Sequence, residues 1–300
     1  MAFKFCGLAD EAGKTMAEQI AATKELGWSG IEIRMLEGKN LCEHEDAVFY
    51  RAWDQMRAAG LCIPSFSSAI ANWSRPIDGD FKLDQDELRR CLPRMQRTGT
   101  RIIRCMSYPN AKEPWSDGAW RKEVVRRLKV LARMAEEAGV ILGHENCLSY
   151  GGLGPRQFLE LVDGVDSPAF KLIFDTGNQT THLQSGTATW EYYEKTRAYI
   201  CHVHIKAAKL NQEGKYVTCF PDEDPVQARI LRDLHSRGYR EWVSIEPHLQ
   251  AVPHLRQDVS DANRARQVYV EFGRRLMRMC AEITGDRSWL KAPAFQGELL

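Results

Sequence analysis

Four residues of this 300-residue chain stand out for the chemistry they could do together: Glu145, Asp175, His204 and Glu246. Each lies where a short apolar run stops, the runs being Val140-Ile141-Leu142-Gly143-His144, Phe170-Lys171-Leu172-Ile173-Phe174, Ile200-Cys201-His202-Val203 and Trp242-Val243-Ser244-Ile245. Taken singly, each has a plain structural reading. Asp175, with Thr176-Gly177-Asn178 behind it, suits a helix N-cap; Glu145 or Glu246 suits an ion pair with a neighbouring arginine; and a lone histidine is commonly a satisfied core residue. At equivalent ends of successive strands, however, the four would converge, and three carboxylates in one place repel one another unless a cation holds them. Three carboxylates and one imidazole suit a divalent ion of hard to borderline character, Mn²⁺, Mg²⁺, Co²⁺ or Zn²⁺. The absence of a thiolate from the set argues against a structural zinc site. Four protein ligands on an octahedral ion leave two adjacent positions open, which suits a substrate with two neighbouring oxygens, a hydroxy-ketone.

The elements that must carry these residues repeat along the chain. Amphipathic stretches end at Gly27, Gly60, Gly99, Gly139 and Gly238, where glycine tolerates the left-handed turn that closes a helix. Apolar runs follow, and with the N-terminal one they number eight: 3–7, 30–34, 61–66, 101–106, 140–145, 170–175, 200–205 and 242–246. Their starts are roughly 27 to 42 positions apart, room for a strand, a helix and two loops. This alternation predicts an α/β fold, a single (β/α)₈ TIM barrel over residues 1–300, with the barrel at about 3–280 and a C-terminal tail at 284–300 that wraps it or meets a partner subunit in a homo-oligomer. An open doubly wound sheet would want a Gly-rich phosphate loop after an early strand, and none is present. Gly151-Gly152-Leu153-Gly154 has the wrong spacing for one and reads as a flexible loop.

Strand parity extends the site. His202, His204 and Lys206 share a face, so an inward His204 brings Lys206 to the barrel mouth, where its ammonium could hold an oxyanion; a surface lysine is the alternative. On the second run Ile31 and Ile33 belong to the helix side and turn Glu32 and Arg34 inward; on the fourth, Ile103 and Cys105 do the same for Arg104. Glu32 and Arg104 are expected to form a buried ion pair bracing the site. Trp73, in the small-residue loop Ser67-Ser68-Ala69-Ile70-Ala71-Asn72-Trp73, is either a lid over the substrate or core packing. Asn178 and His248, flanking the second and fourth strand ends, join Arg104, Trp73 and Lys206 as candidate substrate-binding residues.

Composition narrows the class. Forty-one Lys+Arg against 40 Asp+Glu leave a formal charge of +1, without the basic excess of a nucleic-acid binder. No apolar run is long enough to span a membrane, and the first residues do not read as a signal peptide. Nine cysteines, an odd number without a CxxC pair, read as reduced thiols in a cytoplasmic protein.

With these residues in place the sequence resembles the xylose isomerase-like TIM-barrel superfamily, in particular its sugar isomerase and epimerase branch. The resemblance covers roughly residues 3–280 and is most specific at Gly143-His144-Glu145-Asn146, Phe174-Asp175-Thr176-Gly177-Asn178, His202-Val203-His204-Ile205-Lys206 and Ser244-Ile245-Glu246-Pro247-His248. It implies that Glu145, Asp175, His204 and Glu246 bind one divalent metal, manganese before magnesium, cobalt or zinc. It also implies that Glu145 and Glu246 flank the substrate and move its proton. The implied activity is isomerisation or epimerisation of a sugar, keto-sugar or cyclitol through an enediolate. A dehydratase or other lyase using the same site is the alternative. A metal-dependent phosphodiesterase or endonuclease on the same barrel would want more metal-binding histidines, and His44, His182, His235 and His254 lie away from the four strand ends. A non-catalytic sugar-binding barrel would be expected to have lost a ligand. Many members continue the seventh-strand motif with an aspartate after the lysine; here Ala207-Ala208 follows Lys206, which removes a potential acid beside the site.

Overall fold

A computed structural model describes residues 3–249 and 262–296 of the chain. Its strands, in order, are β1 (Lys4–Gly7), β2 (Met35–Leu36), β3 (Lys39–Asn40), β4 (Ser65–Phe66), β5 (Ile102–Cys105), β6 (Ile141–Glu145), β7 (Phe170–Asp175), β8 (Ile200–Ile205), β9 (Ala207–Leu210), β10 (Tyr216–Cys219) and β11 (Trp242–Ile245). The chain divides into two compact units, one made of Met1–Pro64 with His204–Leu300 and the other of Ser65–Val203. No helix among the described residues is long and apolar enough to cross a membrane. His254, one of the histidines set aside above, lies outside the described residues.

In the first unit β1 runs parallel to β11, with Lys4 opposite Trp242 and Gly7 opposite Ile245. The run at 30–34 departs from expectation. It forms no regular strand, only an isolated bridge from Gly30 to Cys62. Its backbone is nevertheless engaged on both sides, Glu32 N donating to Gly7 O at 3.1 Å and Ile31 N to Cys62 O at 3.0 Å. Single bonds to alternate neighbours hold the segment extended without building a ladder. The segment then closes as the β2–β3 hairpin, where Met35 faces Asn40. The run at 61–66 is likewise strand only at Ser65–Phe66. Phe5 stacks on Trp28 with centroids 5.8 Å apart and meets Trp289 of the tail edge-on at 5.0 Å. The tail therefore packs on this unit, at least to Phe295, which is buried beneath Arg274 and Arg278.

In the second unit β4, β5, β6 and β7 pair in parallel and in that order. The register places Arg104 opposite Gly143 and Glu145 opposite Ile173. Phe158, Phe174, Tyr192 and Tyr193 fill its core with side chains wholly removed from solvent. The five glycines expected to close helices all sit at positive φ, between 69° at Gly27 and 80° at Gly238, the conformation that favours glycine there. The glycines at 151–154 are not a flexible loop. Tyr150–Leu153 forms a turn of 3₁₀ helix, and Gly151 N donates to the buried Ser107 Oγ at 2.7 Å. A side chain at Gly151 would strike the His144 ring, which is why the turn can pack so closely.

Candidate functional site

Within the first unit the site grows from three strand ends. The 3₁₀ turn Ala9–Glu11 after β1 supplies Asp10 and Glu11; β8 supplies His204 and, one residue beyond it, Lys206; Glu246 and His248 follow β11. Glu32 and Arg34 come from the extended segment between β1 and β2. All but His248 are buried, so each charge must find a partner inside the protein. His204 Nε2 lies 3.0 and 3.1 Å from the two oxygens of Glu32. A carboxylate accepts, so Nε2 carries a proton toward Glu32, and Nδ1 is turned the other way, 3.9 Å from Glu246 Oε2.

Glu246 sits among cations. Arg34 Nη1 approaches its Oε1 at 2.5 Å and Lys206 Nζ its Oε2 at 2.9 Å. Burial pushes this carboxyl toward protonation, but the charge of Lys206, the hydrogen bond from His248 and the charge of Arg34 outweigh it and hold the pKa well below the usual carboxylate range. Burial, followed by the adjacent charge of Lys206, lowers His248 to about 4, so its imidazole is neutral at pH 7. The His248 backbone adopts φ +50°, a left-handed conformation uncommon for a residue other than glycine. Its N–H donates to Glu11 Oε2 at 2.8 Å and its carbonyl accepts from Thr218 Oγ1 at 3.0 Å, bonds that keep it there.

Within the second unit Glu145 ends β6 and Asp175 ends β7. Arg104 Nη1 donates to Glu145 Oε2 at 2.9 Å, and Asn178 Nδ2 donates to its Oε1 at 3.2 Å. Asp175 Oδ1 accepts from Gly177 N at 2.8 Å and Asn178 N at 2.6 Å. It thus caps the short helix Asn178–Leu183 with one oxygen, and Oδ2 takes no part in that cap. The asparagine after Glu145 completes the arrangement: Asn146 Oδ1 accepts from Asp175 N at 2.7 Å and its Nδ2 donates to Asp175 O at 2.9 Å. Both ends of its amide are used to join the two strand ends.

Of the residues singled out in the sequence, His204, Lys206, Glu246 and His248 come together in the first unit, and Glu145, Asp175, Arg104 and Asn178 in the second. Trp73 is 43% exposed, so it is not core packing. Lys206 is buried, which removes its surface reading. The partners found for the expected bracing residues are His204 for Glu32 and Glu145 for Arg104. Sequence reasoning missed Asp10, Glu11 and Asn146, although two adjacent acids just beyond the first apolar run were a readable signal. It also turned Arg34 inward without finding it a partner. The donors fit a divalent ion: carboxylate oxygens held by fixed hydrogen bonds, and an imidazole whose proton is fixed by a buried carboxylate.

The model of the family described as xylose isomerase-like TIM barrel matches residues 20–283. A 3-oxo-isoapionate decarboxylase of Pectobacterium atrosepticum is 30% identical over 137 residues, which is 45% of this chain and 46% of that protein. The matched stretch therefore spans about half of that relative's length. Among solved structures, a xylose isomerase-like TIM barrel protein from Mycobacterium smegmatis in complex with magnesium superposes with a TM-score of 0.66 at 17% identity, covering 93% of this chain and 98% of that one. D-psicose 3-epimerase with D-tagatose from Clostridium cellulolyticum H10 gives 0.63 at 18% identity, covering 91% and 98%. At such identities the likeness is one of fold. The family match covers most of the sequence, and the chain belongs to the xylose isomerase-like TIM barrel family.

Proposed function

We propose that this chain is a divalent-metal-dependent isomerase or epimerase of a sugar, keto-sugar or cyclitol, working by proton transfer α to a carbonyl. The observation that carries the reading is the Glu32–His204 pair. A buried carboxylate bonded to the far nitrogen of an imidazole is the arrangement that fixes a histidine's tautomer and raises its basicity as a metal ligand. Glu145, Asp175, His204 and Glu246 would hold the ion, manganese by preference. When bound, the ion supplies Lewis acidity toward two adjacent oxygens of a hydroxy-ketone.

The remaining steps fall to the protein's own groups. Glu246, held ionised, removes the α proton and keeps it; for epimerisation Glu145, entering as the protonated acid, delivers a second proton to the opposite face, and for isomerisation Glu246 gives its proton to the neighbouring carbon. Arg104 and Asn178 orient Glu145, while Arg34 and Lys206 keep Glu246 ionised and able to act as a base. The Lys206 ammonium faces the same carboxylate and supports negative charge developing beside it. Trp73 covers the substrate, and His248, at 15% side-chain exposure, contacts it from the rim. The family fold, the buried donors and the epimerase among the structural neighbours support this reading.

The decarboxylase relative favours a second reading. Loss of CO₂ from a 3-oxo acid leaves the same kind of enolate that proton abstraction leaves, so a lyase would use the same groups. Incubating the metal-loaded protein with a panel of ketoses, inososes and 3-oxo sugar acids in D₂O separates the two. The proposal expects deuterium at the α carbon of a ketose or inosose, lost in Glu246→Gln. Release of CO₂ without such exchange would establish the lyase, and neither signal from any panel member would reject both.

A further inference from the structure

The Glu246 carboxylate belongs to a second cluster in the first unit with the same donor chemistry as the proposed metal site. Glu11, Glu246 and His248 each offer a ligand atom within 4.8 Å of the others. His248 Nε2 is 3.1 Å from Glu246 Oε1 and 3.4 Å from Glu11 Oε1. With Asp10 beside them the set is three carboxylates and one imidazole. The cluster already contains a cation, the guanidinium of Arg34. Its Nε takes Asp10 Oδ2 at 2.8 Å, its Nη1 takes Glu246 Oε1 at 2.5 Å and its Nη2 takes Glu11 Oε1 at 3.1 Å. Three nitrogens serve three acids. The side chain is 2% exposed, and a guanidinium does not surrender its proton in a protein.

We infer that Arg34 is a tethered cation standing in a second metal position: Glu11, Glu246 and His248 form a latent divalent-ion site that its charge keeps closed. A metal ion bonded to these atoms would lie against the guanidinium, and like charges at contact in a buried setting exclude one another. The backbone bonds that fix His248 at positive φ preset the imidazole toward the two glutamates, so removing the positive charge leaves ligands already assembled. The consequence is a choice of chemistry. A pair of metal ions clamps both the attacking and the leaving oxygen of a phosphodiester, whereas one ion with two open positions suits a hydroxy-ketone. Arg34 thus holds the centre in its mononuclear form. The inference rests on the reading that Glu246 is a ligand of one resident ion.

The test is metal stoichiometry, measured by elemental analysis of the desalted protein after Mn²⁺ loading and by the electron paramagnetic resonance of coupled Mn²⁺ pairs. Wild type and Arg34→Lys should each hold about one ion per chain without a coupled signal, and Arg34→Gln about two with one. Adding His248→Ala to Arg34→Gln should return the count to about one. Two ions in wild type or in Arg34→Lys, or one in Arg34→Gln, would overturn the inference. No ion in wild type would overturn the single-ion reading itself and this inference with it. If Arg34→Gln folds only with Mn²⁺ present, the ion is replacing the lost charge, as the inference requires. Failure to fold even then would count against it.

Discussion

His204 shows how a single residue's role is set by what touches its far side. Alone it is an imidazole on a strand; with Glu32 accepting from Nε2, its other nitrogen, Nδ1, is turned toward Glu246. Replacing Glu32 by glutamine keeps the shape but removes the charge that raises the ring's basicity. Glu32→Gln should therefore weaken divalent-metal affinity by about 10- to 100-fold with little change in secondary structure, as read by calorimetric titration. Affinity equal to wild type would deny Glu32 this role. The inward faces of these residues were legible from period-two alternation alone, since Ile31 and Ile33 point one way and Glu32 and Arg34 the other. Their partners were not, because Glu32 meets His204 across 172 positions of sequence and Arg34 meets Glu246 across 212. Such pairings depend on the register of segments that local patterns do not specify.

At the level of elements, the loop after β4 is held by the helix Lys82–Thr98 and not by its own sequence. Asp84 Oδ1 accepts from Ala71 N at 2.9 Å and Arg75 Nη1 at 2.6 Å, and Oδ2 accepts from Tyr108 OH at 2.8 Å. Glu87 accepts from Ala69 N and pairs with Arg75. Ala71 takes φ +56° inside this clamp, which places Trp73 just beyond it on the exposed side. Asp84→Ala would take the acceptor from Ala71 N and Tyr108 OH and one of its acidic partners from Arg75, and should cost about 3 kcal/mol of stability in chemical denaturation; a loss under about 1 kcal/mol would show the clamp to be incidental.

A second clamp has a pH signature. Glu123 accepts from Arg126 and Arg127, chiefly through its hydrogen bonds to Arg126, and its pKa falls to about 2. Arg127 continues the contact to Gly79 O at 3.0 Å and lies over the Phe81 and Tyr108 rings. A carboxylate whose folded pKa is depressed contributes stability that is full above its unfolded value of 4.5 and is lost as pH falls toward about 2. With the side chain 23% exposed, the contribution after solvent screening is about 1 kcal/mol. Glu123→Gln should lower stability by about that amount at pH 7 and leave it nearly unchanged near pH 2, so that the acid limb of the stability curve is flatter; an identical limb in both proteins would remove the pair from the account.

On the scale of the whole molecule, the alternation of helix and strand was enough to give the fold class, and the five glycine-closed helices stand where the pattern put them. The exceptions, 30–34 and 61–64, are apolar enough for strands, but their backbones bond to neighbours singly instead of in ladders. Apolar pattern reports burial, and burial does not distinguish a ladder from an extended chain. The four proposed ligands are divided evenly along the chain, Glu145 and Asp175 in one compact unit and His204 and Glu246 in the other. That division makes the metal proposal testable through stability. An ion that binds the folded chain and not the unfolded one adds about 2.7 kcal/mol when its concentration is 100 times the dissociation constant. If one ion takes ligands from both units, Asp175→Ala and His204→Ala should each abolish most of this gain, and by similar amounts, in calorimetric melts with and without Mn²⁺. If only one substitution abolished it, the ion would be held by that residue's unit alone, and the four-ligand centre would have to be redrawn as a two-ligand site.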